Sequence, residues 1–227
     1  MARRKNYKRR RIILRNTFQL IRKNGMDNVS FQMIAEKSGI SKSLLQSYYP
    51  HKAKLTDDII RNILNTLDAQ VRSIYDAESG HIGARTKAFI YTVAMLGIYD
   101  NGLKRIITEV FSSNETLDNW LQILASWIKE KQIFDETTFD LNEVQCGLAF
   151  VITGVGRLYN NSKRFALSAE QMADYATGSL MYSFLHCTQK QITESLNDGH
   201  KIIAAVDIKS IHHEIDTMFD EGKDIVC

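Results

Sequence analysis

Proline occurs once in 227 residues, at Pro50. A soluble chain of this length ordinarily carries about eleven. Proline inside a helix removes a donor and clashes with the preceding turn, so its near-absence leaves room for long unbroken helices. The single proline follows the run SLLQSYY, where a short helix has to stop. Elsewhere apolar residues recur at three- and four-residue spacing, and no stretch alternates as a half-buried strand does. The expected fold class is all-α.

The stretch from Ser30 to Leu55 carries the most local detail. Ser30 is suited to cap a helix whose inward residues are Met33, Ile34 and Ala35. Lys37 and Ser38 close that helix, and Gly39 supplies the positive φ that a sharp exit needs. Ile40 packs into the angle, and Ser41 caps a second helix of about two turns. There Leu44 and Leu45 are apolar, whereas Lys42, Ser43, Gln46 and Ser47 point outward. A helix this short needs a neighbour to hold it. A helix-turn-helix supplies the brace and sends the polar face of the second helix into a major groove.

The spacing Ile34-Ala35, Gly39, Ile40-Ser41-Lys42, Leu45, Tyr48-Tyr49, Lys52 and Leu55 resembles the N-terminal domain of the TetR family of bacterial transcriptional regulators. Ile13, Thr17, Leu20, Ile21, Gly25, Val29 and Ser30 continue that pattern upstream. The resemblance covers roughly the first quarter of the chain. It implies a three-helix DNA-binding domain followed by a larger helical domain for ligand binding and dimerisation. It further implies a homodimer joined by a four-helix interface, and an apolar or amphipathic effector held between the middle helices. One position departs from the family, which usually has an aromatic residue where this chain has Gln46.

Charge divides the chain in the same place. Residues 1–55 hold 14 basic and two acidic side chains, a net +12, which leaves −9 for the remainder of a chain whose total is +3. A basic headpiece on an acidic body suits a polyanion-binding module joined to a sensing or assembly domain. A solvated basic tail and an anionic-membrane anchor are the plainer alternatives. No run of apolar residues reaches membrane-spanning length, and the basic start MARRKNYKRRR is followed by only Ile12-Ile13-Leu14, which argues against a membrane partner or a secretory leader. Cys146, Cys187 and Cys227 lack CxxC spacing and suit a reducing cytoplasm.

The expected organisation is a headpiece at residues 1–51 and a body at residues 52–227. A basic arm, residues 1–8, reaches toward phosphates or a minor groove. A first helix over residues 9–24 packs Ile13, Thr17, Phe18, Leu20 and Ile21 on the helix-turn-helix. A long helix from Lys52 to about Ala77 connects the two parts. The body helices are expected at about 82–99, 103–112, 115–132, 140–161 and 168–187. In the tail, a helical pattern reaches about Asn197, breaks at Asp198-Gly199, and resumes from Val206 to Phe219. That last segment docks either on its own body or on a partner.

Lys42, Ser43, Gln46 and Ser47 are placed toward base edges, since Gln pairs with adenine and Lys donates to guanine. Ser41 opens their helix. Ser30, Tyr48 and Lys52 are assigned to phosphate oxygens, as the family resemblance implies. Small residues Gly147, Gly154, Gly156, Ala173, Ala176, Thr177 and Gly178 mark the helices at 140–161 and 168–187 as an assembly surface or as close internal packing. Phe89, Tyr91, Met95, Tyr99, Phe111, Trp120, Trp127 and Phe134 form either plain core or an effector pocket, with Tyr91, Tyr99, Arg105 and Asn119 as its polar groups. His186-Cys187, His200 and His212-His213 show no paired ligand spacing, and no metal or other cofactor is expected. No Gly-rich phosphate loop or G-x-S-x-G stands in a strand-to-helix setting, so nothing recommends an enzyme. The resulting expectation is a dimeric regulator, most simply a repressor released by a small molecule; a same-fold activator or architectural protein, and a helical enzyme, are the alternatives.

Overall fold

The computed structural model describes residues 7–74, 82–112, 114–130 and 140–225, and it is helical with no strand among them. The helices are α1 (Tyr7–Asn24), α2 (Phe31–Lys37), α3 (Lys42–Tyr48), α4 (Lys52–Ile74), α5 (Ile82–Tyr99), α6 (Asn101–Val110), α7 (Asn114–Glu130), α8 (Leu141–Asn160), α9 (Ser162–Phe165), α10 (Ala169–Ser183), α11 (Gln189–Ala204) and α12 (Ile208–Thr217). The expected arm, apart from Tyr7 and Lys8, lies outside the described residues, as do the end of the connecting helix and Phe134.

The headpiece forms as its caps dictate. Ser30 and Ser41 accept from the backbone N–H of Met33 and Leu44, each at 3.2 Å, satisfying donors that the opening turns leave free. Gly25 and Gly39 take φ of +90° and +63°, which ends α1 and turns the chain between α2 and α3. Ile13, Leu14, Phe18, Ile21, Ile34, Leu45 and Tyr49 are buried together. Neither short helix carries enough apolar surface to stand without α1 beneath it.

α5 is the axis of the body, with α4, α6, α10, α11 and α12 all packed on it. A helix surrounded this way is apolar on every side. Its one deeply buried charge, Lys87, is satisfied by Asp174 at 2.7 Å, Glu170 at 3.0 Å and the Leu196 carbonyl at 3.1 Å. His200 Nδ1 also meets Glu170, at 2.7 Å.

Two sequence expectations change, and one alternative left open is decided. Asp198-Gly199 does not break the tail: α11 runs through both, and Gly199 lies against the Lys87 side chain, where a Cβ would be 2.7 Å from Cδ. The helix expected at 168–187 ends at Ser183, and the break after Asn160 holds the single turn α9. The last segment docks on its own chain: Ile211, Ile215, Met218 and Phe219 enter the apolar cluster that contains the headpiece core, together with Leu96, Leu103 and Ile106. Headpiece and body therefore share packing through α6 and α12 as well as through α4.

Candidate nucleic-acid interface and central cavity

α3 is held by its buried face. Leu45 is fully buried, Tyr48 is 8% exposed, and Lys42, Ser43, Gln46 and Ser47 all face solvent. Ser47 Oγ donates to the Leu44 carbonyl at 2.7 Å, and Ser41 and Ser43 hydroxyls lie 3.1 Å apart. The four residues expected to face bases are thus all exposed on α3. Two of the phosphate assignments meet competing structure. Tyr48 belongs to the headpiece core, because α3 is too short to be held without it. Lys52 Nζ donates to the Met26 carbonyl and tethers the start of α4 to the turn before α2.

Part of the basic charge of α1 faces inward. Arg10 donates to Tyr49 at 2.8 Å and to Asp58 at 2.5 Å, joining α1, the end of α3 and α4. Burial by itself would lower the Arg10 pKa; the hydrogen bonds to Asp58 and Tyr49 outweigh it and hold the guanidinium charge firmly. Arg22 pairs with Asp100 at 2.9 Å and with Asp216. Arg15 meets Asp220 at 3.5 Å and Lys8 meets Glu221 at 3.3 Å. Arg11 donates to the carbonyls of Asp220 and Lys223. Residues of the tail thus pair with Lys8, Arg11, Arg15 and Arg22 of α1, while Lys37 and Lys42 remain exposed.

α6 closes the other end of α1. Arg105 donates to the carbonyls of Arg22 and Lys23, where the helix leaves acceptors free and a positive charge is favoured. Glu109 accepts from the Met26 N–H at 2.7 Å, beside Gly25. Asp100 caps α6 by accepting from Leu103 at 2.6 Å. Burial raises the Asp100 pKa, but the Leu103 N–H, Arg22 and His212 outweigh it and hold the carboxyl below its ordinary value.

A cavity of about 240 Å³ lies between α4, α5, α6, α7 and α8, with Ile215 of α12 also in its wall. Of the expected pocket residues, Phe89, Phe111, Trp120 and Trp127 line it. Tyr91, Met95 and Tyr99 do not. Tyr91 and Met95 pack against the cluster of Ala94, Ala169 and Met172, and Tyr99 is half-exposed with its ring 5.1 Å from His212. Arg105 is committed to α1, and Asn119 donates to Asp57 at 3.4 Å. The polar group missed from sequence is Tyr159 on α8, whose hydroxyl is buried without a partner, as is Trp120 Nε1. Burial raises the Tyr159 pKa to about 12. Asp68 and Arg85 at the cavity edge are 3.2 Å apart, and Arg72 meets the other Asp68 oxygen at 2.9 Å.

The small residues of α8 and α10 divide between two roles. Gly147 faces Leu180 and Phe184, Gly156 faces the Phe111 ring, and Ala173, Ala176 and Thr177 are buried, so these serve internal packing. Gly154 and Gly178 have nothing within 4 Å of an added Cβ. Near them, Phe150 (64%), Tyr175 (55%) and Tyr182 (67%) are exposed, an outward aromatic surface on the same two helices.

The imidazoles sit beside carboxylates: His186 Nε2 is 3.2 Å from Glu143, and His212 is 3.4 Å from both Asp100 and Asp216. Among the described residues no three His, Cys, Asp or Glu side chains gather as metal ligands, and no helix is long and apolar enough to cross a membrane.

A braced helix-turn-helix headpiece on a larger all-helical body is an arrangement that can present a short helix to a DNA groove. Residues 13–59 match the family described as bacterial regulatory proteins, tetR family. The nucleoid occlusion factor SlmA of Haemophilus ducreyi is 31% identical over 84 residues, 37% of this chain and 41% of the relative. This chain therefore spans about two fifths of that relative's length. SlmA of Shewanella amazonensis is 23% identical over 168 residues, 70% of this chain and 85% of the relative. The solved structure of RolR without ligand superposes with a TM-score of 0.52 at 14% identity, covering 83% of this chain and 95% of that one, a likeness of fold.

Proposed function

We propose that the chain regulates transcription as a homodimer that binds a pseudo-palindromic DNA operator. The observation that carries this is the outward set Lys42, Ser43, Gln46 and Ser47 on a helix held rigid from below. One such helix reads only a few base pairs, whereas two about 34–36 Å apart read adjacent major grooves. The Phe150, Tyr175 and Tyr182 surface on α8 and α10 supports pairing there, because an exposed aromatic patch beside glycines allows close helix approach. Repression follows if the bound dimer blocks the polymerase.

The cavity is the proposed effector site. It touches α4 and α6, and Ile215 in its wall is followed by Asp216, which holds Arg22 of α1. A ligand that prefers a shifted wall moves the headpieces out of register. It acts only through its differential affinity for the two arrangements.

The relatives named as nucleoid occlusion factors favour a second reading, a DNA-bound protein whose role is not effector-controlled transcription. Selection from random duplexes, followed by footprinting, tests the main reading. It requires a protected inverted repeat with a steep salt dependence. Uniform weak binding to all sequences overturns it. Release of the selected duplex by a ligand of the cavity separates the two readings.

A further inference from the structure

We infer that Arg10 is a positioning residue for the recognition helix α3. Through the Tyr49 hydroxyl and the Asp58 carboxylate it fixes the angle between α3 and α4, and so the spacing of operator half-sites that a dimer accepts. This rests on reading α3 as the DNA-reading helix of a homodimer.

The two ends of α3 are held differently. Ser41 caps the first turn by accepting from the Leu44 N–H, and Gly39 turns the chain before it. At the other end Tyr49 closes the helix in an extended conformation, φ −134° and ψ 94°, and Pro50 and His51 separate it from α4. Its ring is fully buried in the headpiece core. Apolar contacts carry no direction, so they hold the ring without fixing its angle. Hydrogen bonds do carry direction. Arg10 Nε donates to the Tyr49 hydroxyl at 2.8 Å, and Nη2 of the same guanidinium donates to Asp58 Oδ2 at 2.5 Å. One rigid, planar fork thus spans the end of α3 and the second turn of α4. Lys54 also meets Asp58, at 3.1 Å, but both lie on α4, so that pair joins nothing to α3.

Burial favours a role in position over one in stability. The Asp58 side chain is 1% exposed and that of Arg10 is 14% exposed. Such a pair gives up hydration that its attraction only roughly returns, so apolar side chains of similar volume can hold a fold as well. What they lack is the fixed geometry. Tyr49 is 0% exposed and does not itself reach DNA, so any effect of its hydroxyl on DNA reading passes through the angle of α3. Half-site spacing follows from how the two recognition helices are set, and a looser joint accepts more spacings.

Selection on the full chain, from duplexes whose inverted half-sites stand at a series of separations, tests this. Tyr49→Phe is the main variant, because it keeps the ring and every charge and removes only the oxygen that accepts from Arg10. The unsubstituted protein is expected to select one spacing. Tyr49→Phe is expected to accept neighbouring spacings as well. It should bind the preferred duplex about tenfold more weakly, as when the fitting arrangement falls to about a tenth of the population. Its binding to random duplex and the salt dependence should stay as they were, since no charge has changed. Arg10→Lys keeps the charge without the fork and should behave like Tyr49→Phe. Arg10→Met combined with Asp58→Leu should broaden the spacing too, while the melting temperature is not lowered. One spacing shared by Tyr49→Phe and the unsubstituted protein, at equal affinity, overturns the inference and leaves DNA reading standing. A lowered melting temperature with unchanged spacing shows a brace for stability alone and also overturns it. If the unsubstituted protein selects no inverted repeat, the DNA-reading assignment falls as well. Should the double variant not fold, Tyr49→Phe decides.

Discussion

The ring of Phe219 stands edge-on to that of Phe18, with centroids 6.0 Å apart and planes at 72°. One belongs to the first helix of the headpiece and the other follows the last helix of the chain. Both are almost wholly buried, so the carboxyl-terminal segment is part of the headpiece core. Phe219→Ala should therefore cost about 3–5 kcal/mol of unfolding free energy, since it removes a ring and leaves a cavity. Denaturant titration checks the value. A change below about 1 kcal/mol, as at an exposed site, would show the docking to be dispensable.

The Asp100 carboxyl titrates below its ordinary value in the folded protein, held there by Leu103, Arg22 and His212 against the opposing effect of burial. A carboxyl with a depressed folded pKa contributes stability above its unfolded value of about 3.9, and that contribution is lost as pH falls through the lower folded value. Acid unfolding of Asp100→Asn should consequently show a shallower pH dependence below about pH 4 than the unsubstituted protein. Parallel curves for the two proteins would contradict the assignment.

Tyr159 keeps its proton because burial raises its pKa to about 12. Without ligand its hydroxyl has no partner, so Tyr159→Phe removes a desolvation cost of about 1–3 kcal/mol along with the oxygen. Thermal unfolding without ligand should show equal or higher stability for the variant. A loss above about 1 kcal/mol would mean that the hydroxyl already has a bond.

On the DNA face, Gln46→Ala should alter base preference, whereas Lys42→Ala should also lower the salt dependence of binding by about one ion. Lys52→Ala should weaken all sequences similarly. It should also destabilise the headpiece by about 1 kcal/mol, because Lys52 tethers α4 to the Met26 carbonyl. Equal sequence-selection profiles for all three variants would contradict the division of roles.

Gly154 and Gly178 face open space within the chain, so alanine at either should favour the isolated helix by about 0.5–1 kcal/mol. If the aromatic face is the dimer contact, the paired substitution should raise the dissociation constant by about tenfold through overpacking. Sedimentation at a series of concentrations measures this. An unchanged dimer would move the interface elsewhere.

The local chemistry of caps and breakers settled the headpiece before any folding. Ser30, Gly39, Ser41 and Pro50 act on backbone groups within a few residues, so their effect is visible in one dimension. Periodicity likewise placed α5 closely, yet it did not tell which side of α5 meets the cavity. That helix is apolar all round, so Phe89 and Tyr91 look alike until their neighbours are known.

Tertiary structure decided the remainder. Gly199 reads as a helix breaker because its intrinsic cost is local, but the closeness of Lys87 makes a residue without a side chain the one that fits. The destination of Phe219 depended on a contact 201 residues away in sequence, Phe18, and on Arg11, Arg15 and Arg22 lying beside it. Sequence alone thus determined where the capped headpiece helices start and stop, since those forces act over one turn. Which faces meet, which charges are neutralised and where a cavity remains were set by packing between segments distant along the chain.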